Sequence, residues 1–460
     1  MDLLTKLRER TATVSVIGLG YAGLPLAMAF ADAGFGVLGV DVNPERVRQL
    51  NAGHSPVEDV SEARLGGHLA SGRFHASADY ADLAAADTAT ISVPTPLGPG
   101  HLPDLSFVER AVDGLATVLH KEQLVVLEST TYPGTTDDLV RPRLERTGLR
   151  AGEDFYLGFA PERIDPGGTT SGGLTFRQVP KLVAGATPRC CEHVSALYSA
   201  IVDTVVPVSS LKAAEMAKLV ENAFRMVNVG FANEVALWCD QLGLDVWEVI
   251  DAASTKPFGF MPHYPGPGLG GHCIPVDPYY LVWKLKTLDY PARFIELAGE
   301  VNRAMPAFVV SKVQASLERH GRPLRGSRVL VLGAAYKRDV ADVRESPSLD
   351  VVELLAEHGA LVEYHDPHVP SIAVRLSERA LAHAEAEGAV QGDRPPAKET
   401  ALRLDSVDLW PAVDHADCVV VSTDHSAYDW ETLARRARLI VDTRNALRAV
   451  RDPAAEIVKL

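Results

Sequence analysis

The segment PGPGLGGHCIPVDP, residues 265–278, sets a cysteine behind a run of glycines and prolines. Such a loop lets the backbone come close to a bulky ligand while presenting one side chain rigidly. That context favours Cys273 as a nucleophile over the competing reading, a small buried structural cysteine. Beside a nicotinamide cofactor a thiol adds to an aldehyde to give a thiohemiacetal. Hydride loss from that adduct leaves a thioester, which traps the intermediate and permits a second oxidation. Asp277 is placed to orient the thiol or a water, although an aspartate before proline is also a common turn residue.

A second stretch could hold that cofactor. Gly18-Leu19-Gly20-Tyr21-Ala22-Gly23 fits GxGxxG between a strand-like TVSVIGLG and an apolar helical run, and Asp41 closes the next strand-like segment. Gly18 permits the tight turn, Gly20 lets the backbone approach a pyrophosphate, and Gly23 lets helix pack on strand, with Tyr21 and Ala22 at the same turn and the helix N-terminus facing the phosphates. Asp41 would accept hydrogen bonds from the adenosine ribose diol and repel a 2′-phosphate, which favours NAD over NADP. Arg46, one helical turn further, either contacts the adenosine end or is a solvated helix arginine.

The elements that must position these groups are legible from periodicity. Residues 13–40 read strand, glycine turn, helix, strand, and further apolar runs follow at ATISVP (89–94), QLVVLEST (123–130) and DTVVPV (203–208). The alternation predicts an α/β, doubly wound, mostly parallel sheet. From Leu211 to about Gly243 the chain carries no proline and little glycine, so one long helix is expected, roughly 45 to 50 Å at 1.5 Å per residue. The alternative is two helices broken near Gly230. A helix that long is expected to bridge domains and to bury a face against a second copy, making a homodimer. A second α/β series opens at RGSRVLVLGAAYKRD, with a strand at 328–332, a helix at 346–358 and strands in ALVEYHDP, DCVVVSTDH and RLIVDTRN. It has no GxGxxG, so this second Rossmann-like domain should bind something other than the dinucleotide. Residues 376–405 read as an inserted helix and exposed loop without chemistry. The expected domains are 1–208, a central helical domain 209–305 carrying the cysteine loop, and 306–460.

The totals narrow the class. With 45 Lys and Arg against 60 Asp and Glu, the net charge of −15 disfavours a nucleic-acid binder. The start MDLLTKLRER has no signal-peptide core, and no run approaches the ~18 apolar residues of a membrane helix, so a cytoplasmic protein is expected. Five cysteines, with Cys190 and Cys191 adjacent, form neither a disulfide framework nor a CxxC metal pattern, and no metal site is expected.

Through GLGYAGLPLA, VPTP (93–96), ESTTYPGT (128–135), APERIDPG (160–167), AEMAKLVENAFRMVNVGFANE (214–234), GPGLGGHCIPVDP and AYKRDVADVRESP (335–347), the chain closely resembles the UDP-glucose/GDP-mannose dehydrogenase family. Within it the resemblance is closest to the branch that oxidises UDP-N-acetylhexosamines. The resemblance implies a nucleotide sugar lying between the two α/β domains and assigns roles residue by residue. Cys273 matches the nucleophile. Lys218 and Asn222 match a pair bracketing the reacting C6 oxygen, and their i, i+4 spacing puts both on one helix face; taken alone, Lys218 would be a solvated charge. Thr130 and Glu162 match residues that place and activate the hydrolytic water near the nicotinamide, with Arg163 beside them on the substrate side, and Asp277 matches the carboxylate supporting the cysteine. Thr95 matches a cofactor contact, Lys337 a substrate-binding lysine, Arg344 an arginine reaching the cofactor and Arg444 a substrate-side arginine. Tyr264 to Gly270, including Gly266, would line the nucleotide-sugar pocket.

Two departures from the UDP-glucose pattern bear on substrate. Glucose-specific members usually carry a lysine before the aspartate of the cysteine loop, where this chain has Val276, and a second glutamate after the PE motif, where it reads Ile164-Asp165-Pro166. Together with His272 these look like the N-acetylhexosamine branch. Asp165 either replaces the missing carboxylate or forms an Asp-Pro turn. The expected reaction is a four-electron oxidation of the sugar C6 alcohol to a carboxylate with two NAD. UDP-glucose or dTDP-glucose is the alternative substrate. The rival classes are a two-electron 3-hydroxyacid or 6-phosphogluconate type of dehydrogenase, which needs neither the cysteine nor a second Rossmann-like domain, and a silent NAD or UDP-sugar binding protein.

Overall fold

The computed structural model describes residues 1–57, 59–163, 174–376 and 401–460, so Ile164, Asp165, Pro166 and most of the expected insertion lie outside the described residues. The chain divides into two compact units, Met1–Glu221 with Tyr279–Pro291, and Asn222–Pro278 with Ala292–Leu460.

In the first unit the strands are β1 (Thr13–Ile17), β2 (Gly36–Val40), β3 (Phe74–Ser77), β4 (Thr88–Ile91), β5 (Leu97–Gly98), β6 (Leu102–Pro103), β7 (Leu124–Leu127), β8 (Tyr156–Phe159), β9 (Lys181–Gly185) and β10 (Val205–Pro207). Eight of them form one sheet in the order β10-β9-β8-β7-β4-β1-β2-β3, while β5 and β6 make a small separate ribbon. All neighbours in the large sheet run parallel except β8 and β9. Strands such as LVVL at β7 are buried throughout, which is what a parallel sheet covered by helices on both faces requires. Strand order reverses between β1 and β4, and the crevice at the carboxyl ends of these strands is where such sheets bind ligands.

The second unit repeats the plan with β11 (Arg328–Leu332), β12 (Leu361–His365), β13 (Ser371–Arg375), β14 (Ala401–Asp405), β15 (Cys418–Val421), β16 (Leu439–Asp442) and β17 (Glu456–Lys459). Five strands form an all-parallel sheet in the order β12-β11-β15-β16-β17. The described end of the 376–405 segment corrects the expectation of helix and loop, because Ala401–Asp405 pairs antiparallel with Ser371–Arg375. Its cause is a period-two pattern: Ile372, Val374, Leu402 and Leu404 all turn into the core of the second unit.

The long helix runs unbroken from Leu211 to Leu242, beginning in the first unit and continuing into the second. Gly230 does not break it. A Cβ there would stand 2.9 Å from Ala298 Cβ, so the glycine lets the helix Arg293–Arg319 cross at close range within the second unit. Among the described residues no helix is long and apolar enough to cross a membrane. All five cysteines are free thiols.

Candidate active site

The dinucleotide turn sits in the first unit with the geometry its glycines demand. Gly18 has φ +94, and a Cβ on it would lie 2.2 Å from Ser92 O. A Cβ on Gly23 would lie 1.8 Å from Gly18 O, whereas one on Gly20 would meet nothing within 4 Å. The turn is thus closed by backbone at Gly18 and Gly23 and open at Gly20. Ala22, at the N-cap of the helix Gly23–Asp32, makes no side-chain cap, Leu24 N donates to Gly20 O at 3.0 Å, and Tyr21 beside them is half-exposed. These residues fit the pyrophosphate of NAD.

Asp41, just past β2, is buried. One carboxylate oxygen accepts from Leu19 N and from Arg46 Nη1, both at 2.9 Å, and the other accepts from Asn43 N at 2.9 Å. Asn43 caps the helix Pro44–Asn51 by accepting from Glu45 N and Arg46 N, which aims Arg46 back at Asp41. Arg46 is therefore neither a plain solvated arginine nor committed to a phosphate. It forms an ion pair with the acid that would read the ribose.

Thr95, Thr130 and Glu162 follow β4, β7 and β8 and so gather at the carboxyl end of one sheet. Ser129 ties two of the loops, its hydroxyl accepting from Val93 N at 2.9 Å and donating to Val93 O at 2.8 Å. Glu162 receives Lys181 Nζ at 3.1 Å, and Lys181 also lies 3.3 Å from Glu128. Arg163 is turned to Glu221 at 2.7 Å and to Pro180 O at 2.6 Å.

Lys218 is buried on the long helix, and Glu215, three residues earlier, anchors that end of the helix. The Glu215 carboxylate accepts from Gly134 N at 2.5 Å, Thr136 N at 2.9 Å and Thr136 Oγ1 at 2.7 Å, holding the TYPGT loop that follows Thr130. Burial pushes its pKa up to about 7 despite those three donors.

The thiol belongs to the second unit. Cys273 is part-exposed, and its carbonyl accepts from Asp277 N at 2.8 Å as the chain turns into the helix Asp277–Lys286. Asp277 is buried and takes Asn222 Nδ2 at 2.6 Å. The structure therefore joins Asn222, Asp277 and Cys273 at one junction, with Lys218 one turn back along the helix that carries Asn222. Burial, reinforced by Arg344, holds His272 below the usual imidazole pKa, against an opposing pull from Asp342.

The glycine loop packs against residues that follow β11 and β16 of the second unit. A Cβ on Gly266 would lie 2.7 Å from Arg444 Nη1, and one on Gly270 would lie 2.5 Å from Tyr336 Cβ. Arg444 is fixed by Nε donation to Ser422 O at 2.8 Å, and burial lowers its pKa to about 10 with Asp442 partly compensating. Tyr264 stacks on Trp247 and donates to Asp251 at 2.6 Å. Lys337 lies in the loop after β11, and Arg344 is turned to Asp342 at 2.6 Å. Sequence reasoning missed the loop's anchor. Gly266 N donates to Asn233 Oδ1 at 2.9 Å, and Asn233 in turn donates to Asn302 at 2.8 Å. It also missed Glu128, Lys181, Tyr198 and Glu215; the faint signal was a charged or polar residue inside an otherwise apolar strand or helix face.

A glycine-turn Rossmann unit, a second parallel α/β unit and a cysteine loop between them in sequence define an NAD-dependent oxidoreductase of the nucleotide-sugar dehydrogenase class, as comparison with known proteins bears out. The NAD binding domain of the UDP-glucose/GDP-mannose dehydrogenase family matches residues 12–202, its central domain 212–304 and its UDP binding domain 330–449. The chain belongs to that family. It is 34% identical to a UDP-N-acetyl-D-mannosamine dehydrogenase of Pyrococcus horikoshii over 95% of this chain and 96% of the relative. It is 37% identical to a UDP-N-acetyl-D-glucosamine 6-dehydrogenase of Pseudomonas aeruginosa over 77% of this chain and 83% of the relative. A solved UDP-glucose dehydrogenase from Pyrobaculum islandicum superposes with a TM-score of 0.80 at 30% identity, covering 98% of this chain and 97% of that one.

Proposed function

We propose that the chain oxidises the C6 alcohol of a UDP-N-acetylhexosamine to the carboxylate in two successive oxidations, with Cys273 as nucleophile. The observation that carries this reading is the junction of a part-exposed Cys273 with the buried Asp277–Asn222 pair, one helical turn from Lys218. NAD, when bound, supplies the hydride acceptor for both oxidations. Lys218 and Asn222 hold the C6 oxygen and the water through which its proton leaves, and Lys218 steadies the negative charge that develops there. The Cys273 sulfur adds to the aldehyde carbon, and after the second oxidation the sugar is held as a thioester. Glu162 takes the proton of the water that releases it. Lys337, Arg444 and the 264–270 loop bind the nucleotide end. Rates of NADH formation with a panel of UDP-, dTDP- and GDP-sugars test the assignment; no turnover of any of them would sink it.

The working form in this reading is a cytoplasmic homodimer. Met216, Val220, Phe224, Phe231, Trp238 and Leu242 of the long helix are exposed, and their spacing sets them along one side of it. A sedimenting species of monomer mass at micromolar concentration would exclude the dimer.

A further inference from the structure

Behind Glu162 lies a buried group of charges that the reaction as described does not use. Lys181 opens β9, and its side chain, 4% exposed, sits between Glu162 at 3.1 Å and Glu128 at 3.3 Å. Tyr198, on the helix Pro188–Tyr198, donates to Glu128 Oε2 at 2.5 Å, and its ring centroid lies 5.1 Å from Lys181 Nζ. Among the described residues the other Glu128 oxygen has no hydrogen-bond partner. Arg163, the neighbouring cation, is directed to Glu221 instead.

Two carboxylates and one ammonium, all ionised, would leave a net negative charge inside the protein, which is costly. Glu128, wholly buried, yields: burial pushes its pKa up to about 8, even against the attraction of Lys181. Burial alone would discharge Lys181, but Glu128 and Glu162 outweigh it and raise its pKa. Lys181 is thus held as a cation between the two carboxylates, and Glu128 is the one whose charge burial opposes.

We infer that Lys181, backed by Glu128 and Tyr198, is the positioning group that keeps Glu162 ionised and aimed for thioester hydrolysis. This rests on the reading of Glu162 as the hydrolytic base. In that step the water oxygen bonds to the thioester carbon and its proton passes to Glu162. The carbon–sulfur bond breaks with its electron pair going to the Cys273 sulfur, and nothing is oxidised or reduced. Removing Lys181 takes away the cation that favours the charged carboxylate.

The test uses the full-length enzyme with NAD and UDP-N-acetylglucosamine or UDP-N-acetylmannosamine, whichever it turns over faster. For Lys181→Met, hydrolysis should slow at least about tenfold, the Cys273 adduct should accumulate in intact mass spectra, and the first oxidation should stay within about twofold of wild type. The acid limb of the hydrolysis rate should move up by about one pH unit or more, because an opposite charge within ~4 Å lowers a carboxyl by one to three units. Lys181→Arg, which keeps the charge and guards against a misfolded methionine variant, should hold the acid limb near its wild-type position. Normal hydrolysis and an unmoved limb in Lys181→Met, with adduct accumulating in Glu162→Gln, would overturn this inference alone. So would a folded Lys181→Arg with its limb displaced. Normal hydrolysis by Glu162→Gln would overturn the base assignment and this inference with it.

Discussion

Asn222 donates its side-chain amide to the buried carboxylate of Asp277 across 2.6 Å, and the backbone amide of Asp277 donates to the carbonyl of Cys273 at 2.8 Å. The long helix is thereby linked to the cysteine turn through a single acidic residue. Asn222→Ala takes a partner from a buried anion, so a loss of about 1 to 3 kcal/mol in stability and a drop in kcat of roughly ten- to a hundredfold are expected. Asn222→Asp should be worse, since two carboxylates would meet there, and its thermal midpoint should fall further as pH rises from 4 to 7. Calorimetry and initial rates read both. Unchanged kcat in Asn222→Ala would separate this junction from the chemistry.

Thioester chemistry fixes a stoichiometry. About two NADH should form per sugar consumed, and Cys273→Ser should lose uronate formation, because an alkoxide ester is harder to form and to hydrolyse than a thioester. End-point absorbance against sugar consumed by chromatography decides the first point. A yield of one NADH with aldehyde as product removes the mechanism, and wild-type turnover by the serine variant moves the nucleophile elsewhere.

Asp41 already accepts hydrogen bonds at both oxygens, one of them from Arg46. Reading a ribose diol requires sharing those lone pairs, while a 2′-phosphate would add two negative charges beside a buried carboxylate. NAD should therefore exceed NADP in kcat/KM by a hundredfold or more, and Asp41→Ala should narrow the ratio. Comparable use of both by the wild-type enzyme would refute the role.

What the sequence made legible follows from how the signals arise. The glycine turn, β1, β2, β4, β7 and β10, the long helix and the strand at 328–332 all stand out because each combines an apolar run of full length with clear punctuation. The strands β3, β8 and β9 are as long as those but less plain in sequence: His75 interrupts β3, Gly158 sits inside β8, and β9 begins on Lys181, whose burial makes sense only once Glu128 and Glu162 are brought beside it. Glu215 reads as a solvated helix charge until the loop at Gly134 folds onto it. Partners distant in sequence decide these positions, and no local pattern announces them. The hairpin strand at 401–405 was overlooked because its alternation is flanked by polar, low-complexity sequence.

Two buried acids set a pH dependence of stability. Glu128 and Glu215 have folded pKa values near 8 and 7, raised by burial above an ordinary 4.5. Between the unfolded and folded values the native state binds more protons than the unfolded chain, so stability falls as pH rises from about 4.5 through 7 to 8. The slope is at most about 1.4 kcal/mol per pH unit for each group. Glu128→Gln, neutral at every pH, should flatten the thermal midpoint between pH 5 and 8 relative to wild type. An unchanged profile in the variant would show that Glu128 is ionised in the native state across that range.

Substrate preference is the last expectation, and it turns on Val276. The residue is buried in the turn from Cys273 into the following helix, its amide donating to Cys273 O at 3.3 Å. An apolar side chain at that position supplies no cation of its own to a sugar hydroxyl. The neighbourhood is correspondingly less polar and suits a larger 2-substituent such as N-acetyl. Overall likeness does not discriminate, since a UDP-glucose dehydrogenase superposes on the chain at a TM-score of 0.80. UDP-N-acetylglucosamine or UDP-N-acetylmannosamine should therefore show the highest kcat/KM, with UDP-glucose and dTDP-glucose behind. Val276→Lys should narrow that gap by improving turnover of the plain hexose. If UDP-glucose or dTDP-glucose exceeds both N-acetylhexosamines tenfold, about 1.4 kcal/mol in the transition state, the N-acetyl assignment fails while the thioester chemistry stands.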